Sequence, residues 1–252
     1  AVVALGVATF ERNKVWGDQI TLWEDTAAKS PGKARPHVNL GTTYIERGEY
    51  DKAENEYVTV VILEPNSADG HTGLGAIYAI RGENDKAESE YKIAIANGPN
   101  YAEAHNNLGL IYAQRDQHEA AIHEFSLAVS LKPSFFMAYN NLGKSYQELS
   151  NYEMAEEVFL IAVALDPNSS EAFNNLGINY VNRQRYTDAV GQFLRAIELD
   201  PDNSNAHVNL GNIYAMQNLF DKANEEYNAA LRINPDNQEA KANMQIIDAK
   251  KR

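Results

Sequence analysis

Asn106-Asn107-Leu108-Gly109, followed by Tyr112, Ala121, Phe125, Ala128 and Pro133, is the pattern on which the rest of the chain is built. Leu-Gly recurs at Leu40-Gly41, Leu74-Gly75, Leu108-Gly109, Leu142-Gly143, Leu176-Gly177 and Leu210-Gly211, always 34 residues apart (74 − 40 = 34). A tyrosine follows each leucine by four residues: Tyr44, Tyr78, Tyr112, Tyr146, Tyr180 and Tyr214. At the same phase come Ala53, Ala87, Ala121, Ala155, Ala189 and Ala223, then an aromatic at Tyr57, Tyr91, Phe125, Phe159, Phe193 and Tyr227. Pro65, Pro99, Pro133, Pro167, Pro201 and Pro235 close the units.

Within a unit the apolar spacing is helical in two runs. A polar or glycine-containing turn separates them, as in Arg47-Gly48-Glu49, Arg81-Gly82-Glu83 and Arg115-Asp116-Gln117. Proline stops the second run, because it lacks an N–H and clashes with the preceding turn. The unit resembles the tetratricopeptide repeat family, a helix–turn–helix repeat of this length. That resemblance implies an all-α fold, a right-handed α–α superhelix of stacked antiparallel helix pairs. It implies a binding surface but names no ligand, since one fold carries many functions.

The expected organisation is an N-terminal helical segment over 1–33, six units (34–67, 68–101, 102–135, 136–169, 170–203, 204–237) and a capping helix over 238–252. A terminal repeat cannot cover its own last face, so a polar cap is expected. Residues 1–10 are a continuous apolar run, too short to cross a bilayer alone, which takes about 20 residues. Two readings stand: the end of a membrane-anchoring helix, or a degenerate first helix of the stack. Trp23 and Pro31 lie 34 residues before Tyr57 and Pro65, which keeps the second in play. The stretch from Glu11-Arg12-Asn13 through Trp16 and Trp23 to Pro31 is similar to the junction in bacterial multi-pass membrane proteins whose glycosyltransferase-like membrane region precedes C-terminal repeats. The compartment stays open between a membrane-tethered repeat domain and a cytoplasmic or periplasmic one.

Lys and Arg number 22 against 35 Asp and Glu, a net charge of −13. Nucleic acid is excluded as an expected partner, since it calls for clustered positive charge. There is no cysteine, hence no disulfide framework or thiolate chemistry. No phosphate loop, nucleophile elbow or metal signature is present, so no cofactor and no catalytic residue is expected. His37, His71, His105 and His207 share one repeat position with Tyr139 and Phe173 and read as packing residues. His118 and His123 are five apart, the wrong spacing for a zinc pair on one helix face.

Counting each unit from its first residue, positions 4, 7, 8 and 11 of the first helix carry the repeat residues. At about 100° per residue, positions 2, 6, 9 and 13 fall on the opposite side. Position 6 reads Asn39, Gly73, Asn107, Asn141, Asn175 and Asn209; position 5 adds Asn106, Asn140 and Asn174. Asparagine is a poor helix former, so propensity does not account for the column. Its amide matches a peptide group, donor for acceptor. The column resembles the repeat domain of the O-linked N-acetylglucosamine transferases, where such asparagines clamp an extended peptide. That resemblance, with the neighbours Lys144 and Asn212, gives the candidate peptide-binding set. Gly73 interrupts it and moves the expected groove to 102–216. The alternative is that the amides bond within the stack.

Three functions follow. The first is a non-enzymatic interaction module holding an extended or disordered protein segment. The second is the acceptor-recognition domain of a membrane-embedded glycosyltransferase-like protein. The third is a scaffold that self-associates into homo-oligomers.

Two further expectations concern local structure. A mid-helix glycine costs about 1 kcal/mol relative to alanine, and the small alanine of the paired helix is the expected reason for tolerating it. Asn100/Glu103, Asn168/Glu171 and Asp236/Glu239 read as capping-box variants at helix starts.

Overall fold

A computed structural model describes residues 19–251, and among these residues it contains fourteen α-helices and no strand. The helices fall into two compact units, one running to Lys132 and the other starting at Pro133. The first holds α1 (Gln19–Lys29), α2 (Ala34–Glu46), α3 (Tyr50–Leu63), α4 (Ala68–Ile80), α5 (Asn84–Asn97), α6 (Ala102–Gln114) and α7 (His118–Leu131). The second holds α8 (Phe136–Glu148), α9 (Tyr152–Leu165), α10 (Ser170–Asn182), α11 (Tyr186–Leu199), α12 (Ser204–Met216), α13 (Phe220–Ile233) and α14 (Gln238–Lys251). The fold is an all-α helical-repeat solenoid. The apolar run at 1–10 and most of the membrane-protein-like junction lie outside the described residues. No described helix is long and apolar enough to cross a membrane.

Each first helix pairs with the helix that follows it: α2 with α3, α4 with α5 and α6 with α7, then α8 with α9, α10 with α11 and α12 with α13. Inside each unit the first helices also touch one another, whereas the second helices do not. The side formed by first helices is therefore the crowded side of each stack. Trp23 of α1 packs with Ile20 and Ala27 onto the core of the first unit.

The turn inside each helix pair has one geometry. Gly48, Gly82, Asp116, Ser150, Gln184 and Asn218 all have positive φ, between 56° and 75°. The next N–H reaches back five residues to the repeat tyrosine, as from Glu49 to Tyr44 (2.9 Å) and from Arg185 to Tyr180 (2.8 Å). This is the Schellman closure, which satisfies carbonyls left open at a helix end.

Two local expectations are corrected. The helix caps sit one residue later than the proposed capping boxes: Ser169 accepts from the Ala172 N–H and Asn237 from the Ala240 N–H, while Tyr101 makes no side-chain cap. The central glycine faces the aromatic ring of the second helix, with the small alanine elsewhere in the interface. A Cβ at Gly143 would lie 2.5 Å from Phe159 Cε1. Phe125, Phe159 and Phe193 are fully buried. Burying such a ring contributes about 1.5–3 kcal/mol, which outweighs the propensity cost of the glycine beneath it.

Candidate functional site

The asparagine column lies where the repeat phase puts it, but its amides are largely spent inside the stack. In the second unit Asn175 Nδ2 donates to Asn140 Oδ1 and Asn209 Nδ2 to Asn174 Oδ1, each at 3.0 Å. The register is 35 residues, from position 6 of one repeat to position 5 of the one before. Asn140 Nδ2 also donates to Glu171 Oε1 (3.1 Å), beside the exposed Lys144. Gln147 Nε2 bonds the Asn175 carbonyl (3.3 Å), and the fully buried Asn179 donates to the Tyr152 carbonyl (3.0 Å). In the first unit Asn106 Nδ2 meets Asn107 Oδ1 at 3.3 Å.

Asn106, Asn140, Asn174 and Asn175 are buried. The expectation of a row of open amides is therefore corrected at these four positions. Position 5 sits on the seam between adjacent first helices, and a buried amide without a partner costs about 1–3 kcal/mol. It must bond, and the neighbouring repeat supplies the group. Asn39, Asn107, Asn141 and Asn209 are half-buried. Gly73 has its own cause: a Cβ there would stand 2.3 Å from Tyr57 Cε1, whose hydroxyl turns to Thr42 Oγ1 (2.8 Å). The ring occupies the space a side chain would need.

An open strip of apolar and amide groups lies at the end of the second unit. A pocket of about 250 Å³ is lined by Met216, Phe220, Ile246 and Ile247, with Asn212, Asn243 and Tyr227 adding polar atoms. Tyr227 Oη donates to Asn212 Oδ1 (2.8 Å), Asn243 Nδ2 reaches the same oxygen (2.8 Å), and Asn212 Nδ2 donates to Glu239 Oε1 (2.9 Å). Burial pushes the Tyr227 hydroxyl up to about 12, so it stays protonated and able to donate. A smaller cavity, about 90 Å³, lies beside it among Ile178, Asn209, Asn212 and Met216. Met216 and Ile246 are 59% and 52% exposed. Asn243 continues the column 34 residues beyond Asn209. The capping helix lacks the Leu-Gly-Tyr signature that marks the other members, and the 34-residue spacing is the one sequence signal that points to Asn243.

The four repeat-position histidines are buried, as packing residues are, but each also bonds through both ring nitrogens. Among the described residues no group of three or more His, Cys, Asp or Glu is placed to hold a metal.

Paired helices stacked in register, with polar networks at the seams, define a helical-repeat scaffold. The chain belongs to the tetratricopeptide repeat family: models of that repeat match residues 38–102, 81–134, 138–169 and 174–238. Members of the family are typically non-enzymatic modules that bind protein or peptide partners. No curated protein sequence matches the chain. Among solved structures, the chain is similar to one in the APC/C hetero-tetramer Cut9–Hcn1 (20% identity, TM-score 0.80), covering 94% of this chain and 46% of that one. It thus spans just under half of that relative. It is also similar to Pseudomonas aeruginosa PilF (20% identity, TM-score 0.75; 86% and 97% covered). A third likeness is to YrrB, described as a TPR protein with an unusual peptide-binding site (21% identity, TM-score 0.57; 73% and 95% covered). At these identities the likeness shows the fold alone.

Proposed function

We propose that this chain is a protein-interaction module that holds an extended polypeptide segment against its first helices, and that in the second unit the contact centres on the α12–α14 pocket. The observation that carries this reading is the pairing of exposed apolar side chains, Met216 and Ile246, with amides at their side, Asn209, Asn212 and Asn243. An apolar side chain of the ligand would enter between Met216 and Ile246. The adjacent amides would meet its backbone with the groups their own bonds leave over: Oδ1 and the second Nδ2–H of Asn209 and Asn243, and the second Nδ2–H of Asn212. The buried Asn140, Asn174 and Asn175 shape this face without reaching the ligand. Asn39, Asn107 and Asn141 are the half-buried members elsewhere in the column, with Lys144 as a charged neighbour. That YrrB carries a peptide-binding site on the same fold supports the class of ligand.

The test is selection of binders from a random extended-peptide library, followed by fluorescence anisotropy with Met216→Asp/Ile246→Asp. Both residues are exposed, so circular dichroism should not change. Affinity is expected to fall at least about tenfold, the loss of roughly 1.4 kcal/mol. Unchanged affinity would remove the pocket from the mechanism.

A further inference from the structure

His37, His71, His105 and His207 each stand between two acceptors. Nδ1 lies 2.6, 2.6, 2.7 and 2.6 Å from Oε2 of Glu56, Glu90, Glu124 and Glu226 on the paired second helix. Nε2 lies 3.3, 3.0, 3.2 and 3.3 Å from the carbonyl of Pro31, Pro65, Pro99 and Pro201, in the turn that leads into the histidine's own helix. A carbonyl only accepts, and so does a carboxylate. Both contacts therefore need an N–H on the ring side, whereas a neutral imidazole has one. Each cluster is complete only when it holds one proton more than a neutral ring beside an ionised glutamate.

We propose that these four clusters are proton-dependent joints between successive repeats. With the extra proton, the ring ties the inter-repeat turn, the first helix and the second helix together. When it leaves, the one remaining N–H stays on Nδ1, because a hydrogen bond to a charged carboxylate is about twice as strong as one to a neutral carbonyl. The proline carbonyl then loses its partner. Deprotonation thus loosens the turn between repeats and leaves the helix pair clasped. In a stack held by nearest-neighbour terms, such a joint changes how strongly one repeat stabilises the next.

Two observations support this independently. The histidine and glutamate occur together: the units without the histidine have Tyr139 with Val158 and Phe173 with Gln192, so neither keeps the glutamate. And the His105 ring is held protonated above its ordinary range, first by the Glu124 hydrogen bond, against desolvation, with the Pro99 carbonyl adding to the same side. The sign follows. A raised folded-state value gives stability that is full below the ordinary histidine range and is lost as pH rises through the folded value. Glu56, Glu90 and Glu226 also act on the phenols of Tyr44, Tyr78 and Tyr214, and Asp202 and Arg232 line the shallow pocket at His207. Three joints lie in the first unit and one in the second, and none depends on the ligand proposed above.

The experiment is imidazole nitrogen NMR on the intact chain between about pH 5.5 and about pH 8.5, the window in which histidine changes charge, with amide exchange followed in parallel. At the acidic end both ring nitrogens of His105 should carry protons. At the alkaline end the neutral form should be the Nδ1–H tautomer. After correction for intrinsic exchange, protection should then fall in turns 65–67 and 99–101 while the helix interiors hold. Glu124→Gln should abolish the pH dependence at its own joint. Neutral Nε2–H rings across the range would overturn the proposal. So would turn protection that ignores pH while the rings titrate as stated. The wild-type spectra decide even if the variant fails to fold.

Discussion

The two units carry one repeat and seal it differently. In the first, the seams are ionic. Three His–Glu pairs are joined there by two arginine forks, Arg81 on Asp51 and Glu54 and Arg115 on Asp85 and Glu88. The second has one such pair, His207 with Glu226, and two arginine forks, Arg183 on Glu153 and Glu156 and Arg185 on Glu156 and Asp188. In place of the other two His–Glu pairs it adds neutral groups: the two Asn–Asn bonds, Ser170 Oγ to the Ala196 carbonyl (2.8 Å) and Asn203 Nδ2 to Ser170 Oγ (2.8 Å). The same backbone register thus tolerates two chemistries at the seam. The groups that hold repeats together need not be the groups that define the repeat.

The largest expected effect tests what the units share. Gly109→Leu and Gly143→Leu each drive a side chain into a buried ring, since even a Cβ would sit 2.7 Å and 2.5 Å from Phe125 and Phe159. Overpacking of this kind costs about 1–3 kcal/mol and more where the ring cannot move. Denaturant titration should show both variants losing at least about 3 kcal/mol. A large loss in one unit only would mean that the shared core is not shared in energy.

Next is Asn175→Ala, which strands the buried Asn140 oxygen and should cost about 1–3 kcal/mol. The double variant Asn140→Ala/Asn175→Ala should lose less than the two single losses combined, because the pair acts as one unit. Neither loss should respond to salt. Additive losses would show that the amides do not cooperate.

Arg115→Met is the ionic counterpart. Its partner Asp85 is wholly exposed, so the expected cost is about 0.5–1 kcal/mol at low salt and less at high salt. Glu88 is held below the usual carboxylate range, by Lys92 first and Arg115 besides, against desolvation. Its contribution is present above the ordinary carboxylate range and disappears as pH falls through the lowered value. His105 works in the opposite sense, so the first unit has an acid limb and an alkaline limb. Thermal melts against pH should show both limbs in wild type and a flatter acid limb in Arg115→Met.

Helix pairing, spacing and the crowded core were legible because they recur: six copies of Leu-Gly-Tyr average away local noise. The ring beneath each glycine was in the same periodic list, but facing residues on two helices requires the packing distance, and that is not written in a spacing. The amide column was visible as a column; its bonding was not. Position 5 lies between the packed and free sides, and its burial depends on how closely successive first helices approach. Asn140 and Asn175, 35 residues apart, meet only because that approach is close. The histidines read correctly as packing residues, yet their second role needed two acceptors, one of them a backbone carbonyl that no side-chain pattern reveals.

The smallest expected effect lies in the turns, where the units differ again. Every turn inside a helix pair needs a left-handed residue. The first unit supplies glycine at Gly48 and Gly82 and aspartate at Asp116, while the second uses Ser150, Gln184 and Asn218. A left-handed backbone costs most L residues about 1–2 kcal/mol, and Asn and Asp less, because a short polar side chain can bond locally. Glycine removes the strain but adds freedom to the unfolded chain. Gln184→Gly should therefore stabilise the second unit by about 0.5–1 kcal/mol, net of that entropy, and Asn218→Gly by less. The converse change, Gly82→Ala, should destabilise the first unit by about 1 kcal/mol. No neighbour lies within 4 Å of a Cβ at Gly82, so backbone strain alone is being measured. If Gln184→Gly and Asn218→Gly gained equally, side-chain identity would not matter in these turns; if neither gained, the second unit would carry no more turn strain than the first.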